Sequence, residues 1–235
     1  MQGKCYGSTA GSNPASVGST PTSCAKKEFI MSNRFVISDT HFGHTNSWEK
    51  FKLPNGEPLR PFTSTEEMDE TMVERWNAKV GPNDTVYHLG DVVINRKSLH
   101  HVKRLNGKKR LVRGNHDIFK DQDYRDAGFD SLYGVRVFVD QFILSHIPLH
   151  PDCVSERFRV NVHGHLHANE VMRRMQVPEL RHMQEPDPRY LCVSVEHTNY
   201  EPLSFEEVEA RIQKRWADTG YAPVGKAWGN GSGPN

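Results

Sequence analysis

Histidine and acidic residues recur in four short motifs of this 235-residue chain, which contains 13 histidines in all. The motifs are Asp39-Thr-His41, Gly90-Asp91, Gly114-Asn-His-Asp117 and Gly164-His-Leu-His167, and His146 lies between the last two. Imidazole, carboxylate and amide groups without a thiolate form a mixed nitrogen and oxygen donor set, which suits manganese, iron, zinc, cobalt or nickel. The residue types therefore point to metal binding.

The spacing within the motifs strengthens this prediction. Asp39 and His41 are two residues apart, as are His165 and His167, so each pair can point to one side where the chain is extended. A scrambled chain of this composition would contain Gly-Asn-His followed by Asp or Glu roughly 0.007 times, and Gly-His-x-His roughly 0.05 times. The ordered set of motifs is therefore a specific signal, whereas Asp-x-His or Gly-Asp alone is not.

Each motif stands near the end of a predicted strand. From residue 34 onward, short apolar runs alternate with helical stretches, which is typical of an α/β domain. Strands are predicted at 35–38, 85–89, 110–112, 135–139, 142–144, 160–162 and 190–195. Loops at strand ends converge in α/β folds while the sheet holds them rigid, so we expect the motifs to meet.

Three helices are predicted between and after these strands. A helix-capping signature at 64–67 begins one helix, which ends before Gly81-Pro82, and the same signature at 204–207 begins another. Apolar residues at helical spacing over 99–105 predict a third, shorter helix. Their apolar faces are expected to pack on the core.

The overall composition limits the function classes. The 30 basic and 29 acidic residues give a net charge of +1, so any nucleic-acid surface must be local. No apolar run is long enough to span a membrane. The four cysteines form no CxxC pair, which fits a reducing compartment and predicts a cytoplasmic protein.

The two ends of the chain differ in composition from the middle. Residues 1–30 are small and polar, so we expect a disordered leader. Met31 directly precedes the first predicted strand and is a candidate natural start; the alternative is a genuine disordered tail. We expect one domain over 31–216 and a flexible, glycine-rich tail over 217–235.

In this order, the four motifs and His146 resemble the five-part signature of the calcineurin-like metallophosphoesterases, from about Arg34 to Trp216. The resemblance implies an α/β fold in which two mixed β-sheets form a sandwich flanked by helices, giving four layers. It also implies two divalent metal ions at one end of the sandwich and hydrolysis of phosphomonoesters or phosphodiesters. Asp39, His41 and His167 would then hold one ion, and Asn115, His146 and His165 the other. Asp91 would bridge both ions, and His116 would stand beside them as the acid.

The implied site suits an in-line displacement at phosphorus. Two ions about 3.5–4 Å apart stabilise both the attacking and the leaving oxygen, and a water that bridges them becomes hydroxide near neutral pH. His116 would protonate the departing alkoxide, and the neighbouring Asp117 is a candidate for orienting that imidazole. Among the suitable metals, manganese is the one we expect.

Two further side chains are candidates for contact with the substrate. Eight basic residues and no acidic one lie between Arg96 and Arg113, directly before the third motif. This run would attract phosphate esters or a nucleic-acid backbone, or it is the solvated side of a helix and a turn. Arg113 is the candidate phosphate contact. His44 follows the first motif and would touch substrate, unless it is a solvated loop residue.

The segment after Gly90-Asp91 separates branches of the resembled family. Protein serine/threonine phosphatases continue with an Asp-Arg-Gly element, whereas this chain continues Val92-Val-Ile-Asn-Arg96. We therefore expect a phosphodiesterase of the compact branch, acting on a phosphate ester such as a nucleotide or nucleic acid. One alternative is a phosphomonoesterase acting on nucleotides or phosphoproteins. Another is an inactive binding scaffold, although no ligand of the signature is missing. The polar segment 168–188 is either a lid or specificity loop or a tolerated insertion.

Overall fold

The computed structural model describes residues 32–138, 141–154, 158–175 and 178–223. The predicted leader over 1–30 and the end of the predicted tail, from residue 224, lie outside the described residues. Among the described residues, no helix combines the length and the apolar character that crossing a membrane requires.

The first sheet contains four parallel strands and one antiparallel strand at an edge. From edge to edge its members are β11 (Leu203–Ser204), β1 (Arg34–Ile37), β2 (Thr85–His88), β3 (Lys108–Val112) and β4 (Phe129–Tyr133). Strand β4 was not predicted from the sequence, because polar residues interrupt its segment Phe-Asp-Ser-Leu-Tyr. The parallel strands run in one direction, so the loops that follow β1, β2 and β3 leave from the same edge.

The second sheet is also mixed and contains four strands. In order they are β10 (Tyr190–Cys192), β7 (Val160–His163), β6 (Phe142–Ser145) and β5 (Val135–Val137), and only β5 is antiparallel to its neighbour. The predicted strand at 190–195 is shorter in the structure, because a 3-10 helix begins at Val195. The predicted strand at 135–139 ends at Val137, and residue 139 lies outside the described residues.

The polar segment 168–188 folds back on itself. It contributes β8 (Met172–Arg174) and β9 (Gln184–Pro186), which pair antiparallel as a separate two-stranded sheet.

Two apolar clusters lie on opposite faces of the first sheet. Side chains of a strand alternate between its two faces, and β1 follows this rule: Phe35 and Ile37 belong to one cluster and Val36 to the other. The cluster with Val36 also contains Phe142 and other residues of the second sheet, so it fills the space between the sheets. The cluster with Phe35 packs against helices, among them the one that carries Trp76. The predicted fold class of two mixed sheets flanked by helices is therefore confirmed.

In the part of the chain that the structure describes, four α-helices and one longer 3-10 helix flank the sheets. They are α1 (Asn46–Glu49), α2 (Thr65–Lys79), the 3-10 helix Arg96–Arg104, α3 (Asp121–Ala127) and α4 (Phe205–Thr219). The helix predicted over 99–105 is thus a 3-10 helix, and its N-terminus is capped by the Asn95 side chain. Helix α4 extends three residues beyond the predicted domain end at 216 and stops at Gly220, whose φ is 63°.

The two capping signatures differ in detail. At the start of α4, Ser204 and Glu207 form the complete capping box, in which each side chain accepts from the other residue's backbone N–H. At the start of α2, Ser64 Oγ accepts from the Glu67 N–H at 3.0 Å, but the Glu67 carboxylate accepts from the Thr63 N–H instead. Both helices begin where the sequence predicts.

Candidate metal centre

The predicted ligands follow five strands that end at one edge of the sandwich. Asp39, Asp91 and Asn115 come two or three residues after strands of the first sheet, and His146 and His165 come directly after β6 and shortly after β7 of the second. The two sheets meet there, because Ser38 and Ser194 form a parallel bridge and the Ser38 N–H donates to the Val193 carbonyl at 3.1 Å. This junction places loops from both sheets around a common centre.

The structure brings the predicted ligands together in two clusters. In each cluster one ligand atom per residue lies within 4.8 Å of the others. The first cluster is Asp39, His41 and His167, and the second is Asp91, His146 and His165. Asn115 joins the second cluster, because its Oδ1 lies 2.9 Å from His146 Nε2.

Asp91 stands between the two clusters. Its Oδ2 lies 3.5 Å from His41 Nε2 in the first cluster and 3.4 Å from His146 Nε2 in the second. Its Oδ1 accepts from the His116 backbone N–H at 2.9 Å, which fixes the orientation of the carboxylate. One oxygen of Asp91 is thus directed at both clusters, as a bridging ligand requires.

The backbone at these ligands is in an unfavourable conformation. Asp39, His41, Asp91, His165 and His167 all have positive φ, between 47° and 69°. Non-glycine residues rarely adopt this left-handed region, and such residues concentrate at functional sites where surrounding contacts hold them. Among the described non-glycine residues, only Asn199 and Tyr200 share it.

Two motif glycines are required by close contacts at the centre. A Cβ on Gly114 would lie 2.2 Å from Asp91 Oδ1, and one on Gly164 would lie 2.4 Å from Asp39 Oδ2. Only glycine lets the backbone approach these carboxylates so closely. The glycines of the third and fourth motifs therefore make room for the ligands of the first and second.

Unsatisfied polar atoms in the first cluster fit a bound cation. Asp39 Oδ2 accepts from the His165 N–H at 2.9 Å and from Ser194 Oγ at 2.8 Å. Asp39 Oδ1 and His41 Nδ1 are buried and have no hydrogen-bond partner among the described residues. A buried carboxylate oxygen without a partner is costly unless something positive compensates it, so the donor set fits a metal ion.

The pKa shifts at His41 and Asp91 favour the protonation states that metal ligands need, whereas the shift at Asp39 opposes its ionised state. Burial lowers the pKa of His41 well below its ordinary value, so the imidazole is neutral near pH 7. Burial raises the pKa of Asp91, but the hydrogen bond and the charge of His146 outweigh it and bring the pKa to about 2. Burial raises the pKa of Asp39, against the opposing influence of His167 and His146. A cation beside Asp39 would favour its ionised form.

Two further predicted residues lie close to the clusters. The ring centroids of His44 and His116 are 5.4 Å and 5.5 Å from that of His41. His116 is exposed, whereas His44 is partly buried and also contacts Phe51 edge-on at 5.5 Å. Both imidazoles are thus near enough to meet a substrate that binds at the clusters.

The guanidinium of Arg113 forms bonds within the protein. Its guanidinium donates to Asp121 Oδ1 at 2.7 Å, to the Asp117 carbonyl at 2.7 Å and to the Phe119 carbonyl. These bonds hold the segment after the third motif and use three of the five N–H donors of the guanidinium. The basic run before Arg113 is also dispersed, since Arg104 pairs with Glu70 and other members bond within the fold.

Asp117 does not orient the His116 imidazole either. Its carboxylate accepts from three backbone N–H groups, those of Asp91 at 2.8 Å, Val92 at 3.1 Å and Gly114 at 2.7 Å. The Tyr124 hydroxyl lies 3.3 Å away on the same carboxylate. Asp117 is buried and ties the loop of the second motif to that of the third. The sequence places it beside His116, but the chain turns its side chain inward.

Three residues near the centre were not predicted from the sequence. His88 Nδ1 accepts from the Gly90 N–H at 3.2 Å, and His88 Nε2 lies 2.9 Å from Thr40 Oγ1, so His88 connects the first two motif loops. Glu196 Oε1 lies 3.1 Å from His167 Nδ1 and 2.8 Å from Arg60 Nε. Glu196 could have been suspected from the sequence, because it follows an apolar run and so stands near the end of a predicted strand. Nothing in the sequence distinguishes Arg60.

Comparison with known proteins agrees with this architecture. A family model described as calcineurin-like phosphoesterase matches residues 34–218. The chain is 32% identical to the uncharacterized protein MJ1445 of Methanocaldococcus jannaschii over 193 residues, which cover 78% of this chain and 93% of that protein. It is 28% identical to the gene 66 protein of Mycobacterium phage L5, over 61% of this chain and 82% of that protein.

Among solved structures, the chain is similar to the protein of unknown function AQ665 from Aquifex aeolicus, with a TM-score of 0.53 and 25% identity. The match covers 77% of this chain and all of that one (100%). The strand order, the two His and Asp clusters and the family match over most of the domain agree with one another. The chain therefore belongs to the calcineurin-like phosphoesterase family, whose members typically bind two metal ions.

Proposed function

We propose that this protein is a dinuclear-metal phosphodiesterase. The observation that carries the proposal is the position of Asp91, whose Oδ2 faces His41 Nε2 at 3.5 Å and His146 Nε2 at 3.4 Å. Asp39, His41 and His167 would hold one ion, and Asn115, His146 and His165 the other. Bound divalent ions, manganese being the one we expect, would polarise the phosphoryl oxygens and acidify a water at the site.

The residues of the chain have separate tasks in this proposal. His116 is exposed beside the clusters, so it can hand a proton from its imidazole to the alkoxide that leaves phosphorus. His44, whose ring centroid lies 5.4 Å from that of His41, would contact the esterified group of the substrate. The His116 backbone N–H keeps Asp91 in place, so the acid and the bridging carboxylate belong to one rigid unit.

A diester fits the charge at the site better than a monoester. A phosphomonoester dianion is commonly held by an arginine, because the guanidinium fork matches phosphate oxygens. Near this centre, the guanidinium groups of Arg60 and Arg113 are both engaged by carbonyl and carboxylate groups of the protein. A phosphodiester carries one negative charge instead of two, so it needs fewer positive side chains than a monoester dianion. This supports the phosphodiesterase over the phosphomonoesterase.

The test compares bis-(p-nitrophenyl) phosphate with p-nitrophenyl phosphate in the presence of Mn²⁺. We expect faster hydrolysis of the diester by the wild type and near-complete loss in Asp91→Ala. Asp218→Ala is the matched control, because that carboxylate is exposed and pairs with Lys214 on α4. Activity of the wild type on neither ester would contradict the proposal, and preference for the monoester would favour the phosphatase alternative.

The role of His116 has its own test. His116→Ala should slow diesters with poor leaving groups by about 10²–10⁴-fold, and activated p-nitrophenyl esters much less. Equal losses for both kinds of ester would reject His116 as the acid. His44→Ala should raise KM with a smaller effect on kcat, as expected for a residue that binds the substrate.

A further inference from the structure

A buried ion pair lies behind the first metal cluster. Arg60 is fully buried, with an exposed fraction of 0%, and the side chain of Glu196 is only 4% exposed. Arg60 Nε lies 2.8 Å from Glu196 Oε1. Removing charges from water is expensive, so a buried pair of this kind needs further bonds to be tolerated. Where those bonds go shows what the pair does.

Two further bonds of Arg60 go to the backbone of the first motif, and another, from Nη1, reaches Met68 Sδ at 3.5 Å. Its Nη2 donates to the Asp39 carbonyl at 2.6 Å, and its Nη1 donates to the Thr40 carbonyl at 2.9 Å. These carbonyls lie in the loop where Asp39 and His41 have φ values of 59° and 47°. A left-handed backbone persists only where surrounding contacts fix it, and the guanidinium fork supplies two such contacts.

Glu196 fixes the third ligand of the same cluster. Its Oε1 lies 3.1 Å from His167 Nδ1, and an ionised carboxylate can only accept. His167 Nδ1 therefore carries a proton, and in the neutral imidazole this leaves the lone pair on Nε2, where a ligand needs it. A carboxylate behind a metal-binding histidine orients the ring and makes it a better donor.

The second cluster is supported by other groups. Asp117 holds the backbone of Asp91 and Gly114, and the Leu89 carbonyl lies 2.7 Å from His146 Nδ1. The hydrogen bonds of Arg60 and Glu196 among the described residues reach the loop of Asp39 and the ring of His167, but not this cluster. Arg60 and Glu196 thus bond directly to the first cluster only, and the second is connected to it through Asp39, whose Oδ2 accepts from the His165 N–H at 2.9 Å.

We propose that Arg60 and Glu196 are positioning residues that set the affinity of the first metal site selectively. The inference rests on the proposed dinuclear centre, and it adds that the two sites can be weakened independently. Neither residue touches the substrate in this proposal. Their effect passes through the carbonyls of Asp39 and Thr40 and through the His167 ring.

The test is a Mn²⁺ titration of the full chain, followed by calorimetry and by electron paramagnetic resonance. We expect the wild type to bind two ions and to give the spectrum of coupled manganese. Glu196→Ala should keep one tight ion, weaken the other by about 10–100-fold and give the spectrum of isolated manganese. The inference is overturned if the Glu196→Ala variant binds both ions as tightly as the wild type does. It is also overturned if the variant binds both ions more weakly by the same factor.

Two more variants keep the result interpretable. If the alanine variant does not fold, the same titration is made with Glu196→Gln, which retains an oxygen acceptor of the same shape without the charge. It should likewise weaken the binding of one ion and not of the other. Asp187→Asn is the matched control, because Asp187 is buried and paired with Arg189 but makes no described bond to a metal ligand; it should bind both ions normally. A wild type that binds no metal would instead overturn the proposed function itself.

Discussion

The clearest structural prediction concerns Asp117, for which sequence and structure give different roles. Asp117→Asn replaces one carboxylate oxygen by an NH₂ group. Oδ2 accepts from the N–H groups of Asp91 at 2.8 Å and Gly114 at 2.7 Å, and Oδ1 accepts from that of Val92 at 3.1 Å. In either orientation of the amide, at least one buried backbone N–H then faces another donor.

The magnitude follows from that lost acceptor. A buried donor left without a partner costs about 1–3 kcal/mol. The other hydrogen bonds also weaken, because the amide of Asn has no charge. In the opposite direction, burial raises the pKa of Asp117, which shows that burying its charge is costly, and the neutral Asn side chain avoids that cost. We take these two effects to offset each other and expect about 2 kcal/mol of destabilisation. For a chain of this length, that corresponds to a decrease in Tm of about 4–8 °C.

The assay is thermal unfolding of the metal-free protein, measured by calorimetry in the presence of a chelator so that bound metal does not contribute. Tyr124→Phe is the control, because it removes the hydroxyl that contacts Asp117 at 3.3 Å but leaves the carboxylate intact, and it should cost about 1 kcal/mol. If Asp117 instead oriented His116, Asp117→Asn would have the Tm of the wild type, and only the hydrolysis of esters with poor leaving groups would be slower. That pattern would refute the structural argument.

Three further predictions follow from the contacts of the centre. Gly114→Ala should abolish binding of both ions in a Mn²⁺ titration, because its Cβ would lie 2.2 Å from Asp91 Oδ1 and 2.6 Å from Asp91 N. Burial lowers the pKa of His88 to about 3, so the folded chain binds fewer protons than the unfolded one and loses stability as the pH falls below about 6.5. His88→Gln should remove about 2 kcal/mol of the stability difference between pH 7 and pH 5 in urea unfolding of the metal-free protein; an unchanged difference would contradict a buried neutral His88. Arg113→Ala should lower the free energy of unfolding by about 1–2 kcal/mol and leave KM for diesters unchanged, because its guanidinium binds Asp121 and backbone carbonyls. A tenfold rise in KM would instead indicate that Arg113 contacts the phosphate of the substrate.

Local patterns predicted much of the framework. The capping signatures placed the starts of α2 and α4, because a serine hydroxyl and a backbone N–H three residues later bond within one turn. Apolar runs placed β1, β2, β6 and β7 to within one or two residues. The strands β4, β8 and β9 escaped prediction, because their segments Phe-Asp-Ser-Leu-Tyr, Met-Arg-Arg and Gln-Glu-Pro contain no continuous apolar run.

The distinction between neighbours in sequence and neighbours in space explains why two side chains at the site make contacts that their spacing did not indicate. Asp117 is adjacent to His116 and was predicted to orient it, yet the turn directs the two side chains to different surroundings. Arg113 stands next to the third motif, but the segment that follows it returns to occupy its guanidinium. Two residues that are adjacent in the sequence must lie close together, but their side chains can point in different directions. The contacts of Asp117 and Arg113 could therefore not be predicted from spacing.

The sequence by itself determined the kind of chemistry, because the motifs specify imidazole, carboxylate and amide donors at the ends of strands. Only the tertiary structure decided how those donors are oriented. It directs one oxygen of Asp91 at two clusters, and it joins Arg60 to Glu196 across 136 positions of the chain. The physical reason is that the orientation of a ligand depends on the groups packed behind it, and here those groups come from both sheets and from loops far apart in the chain.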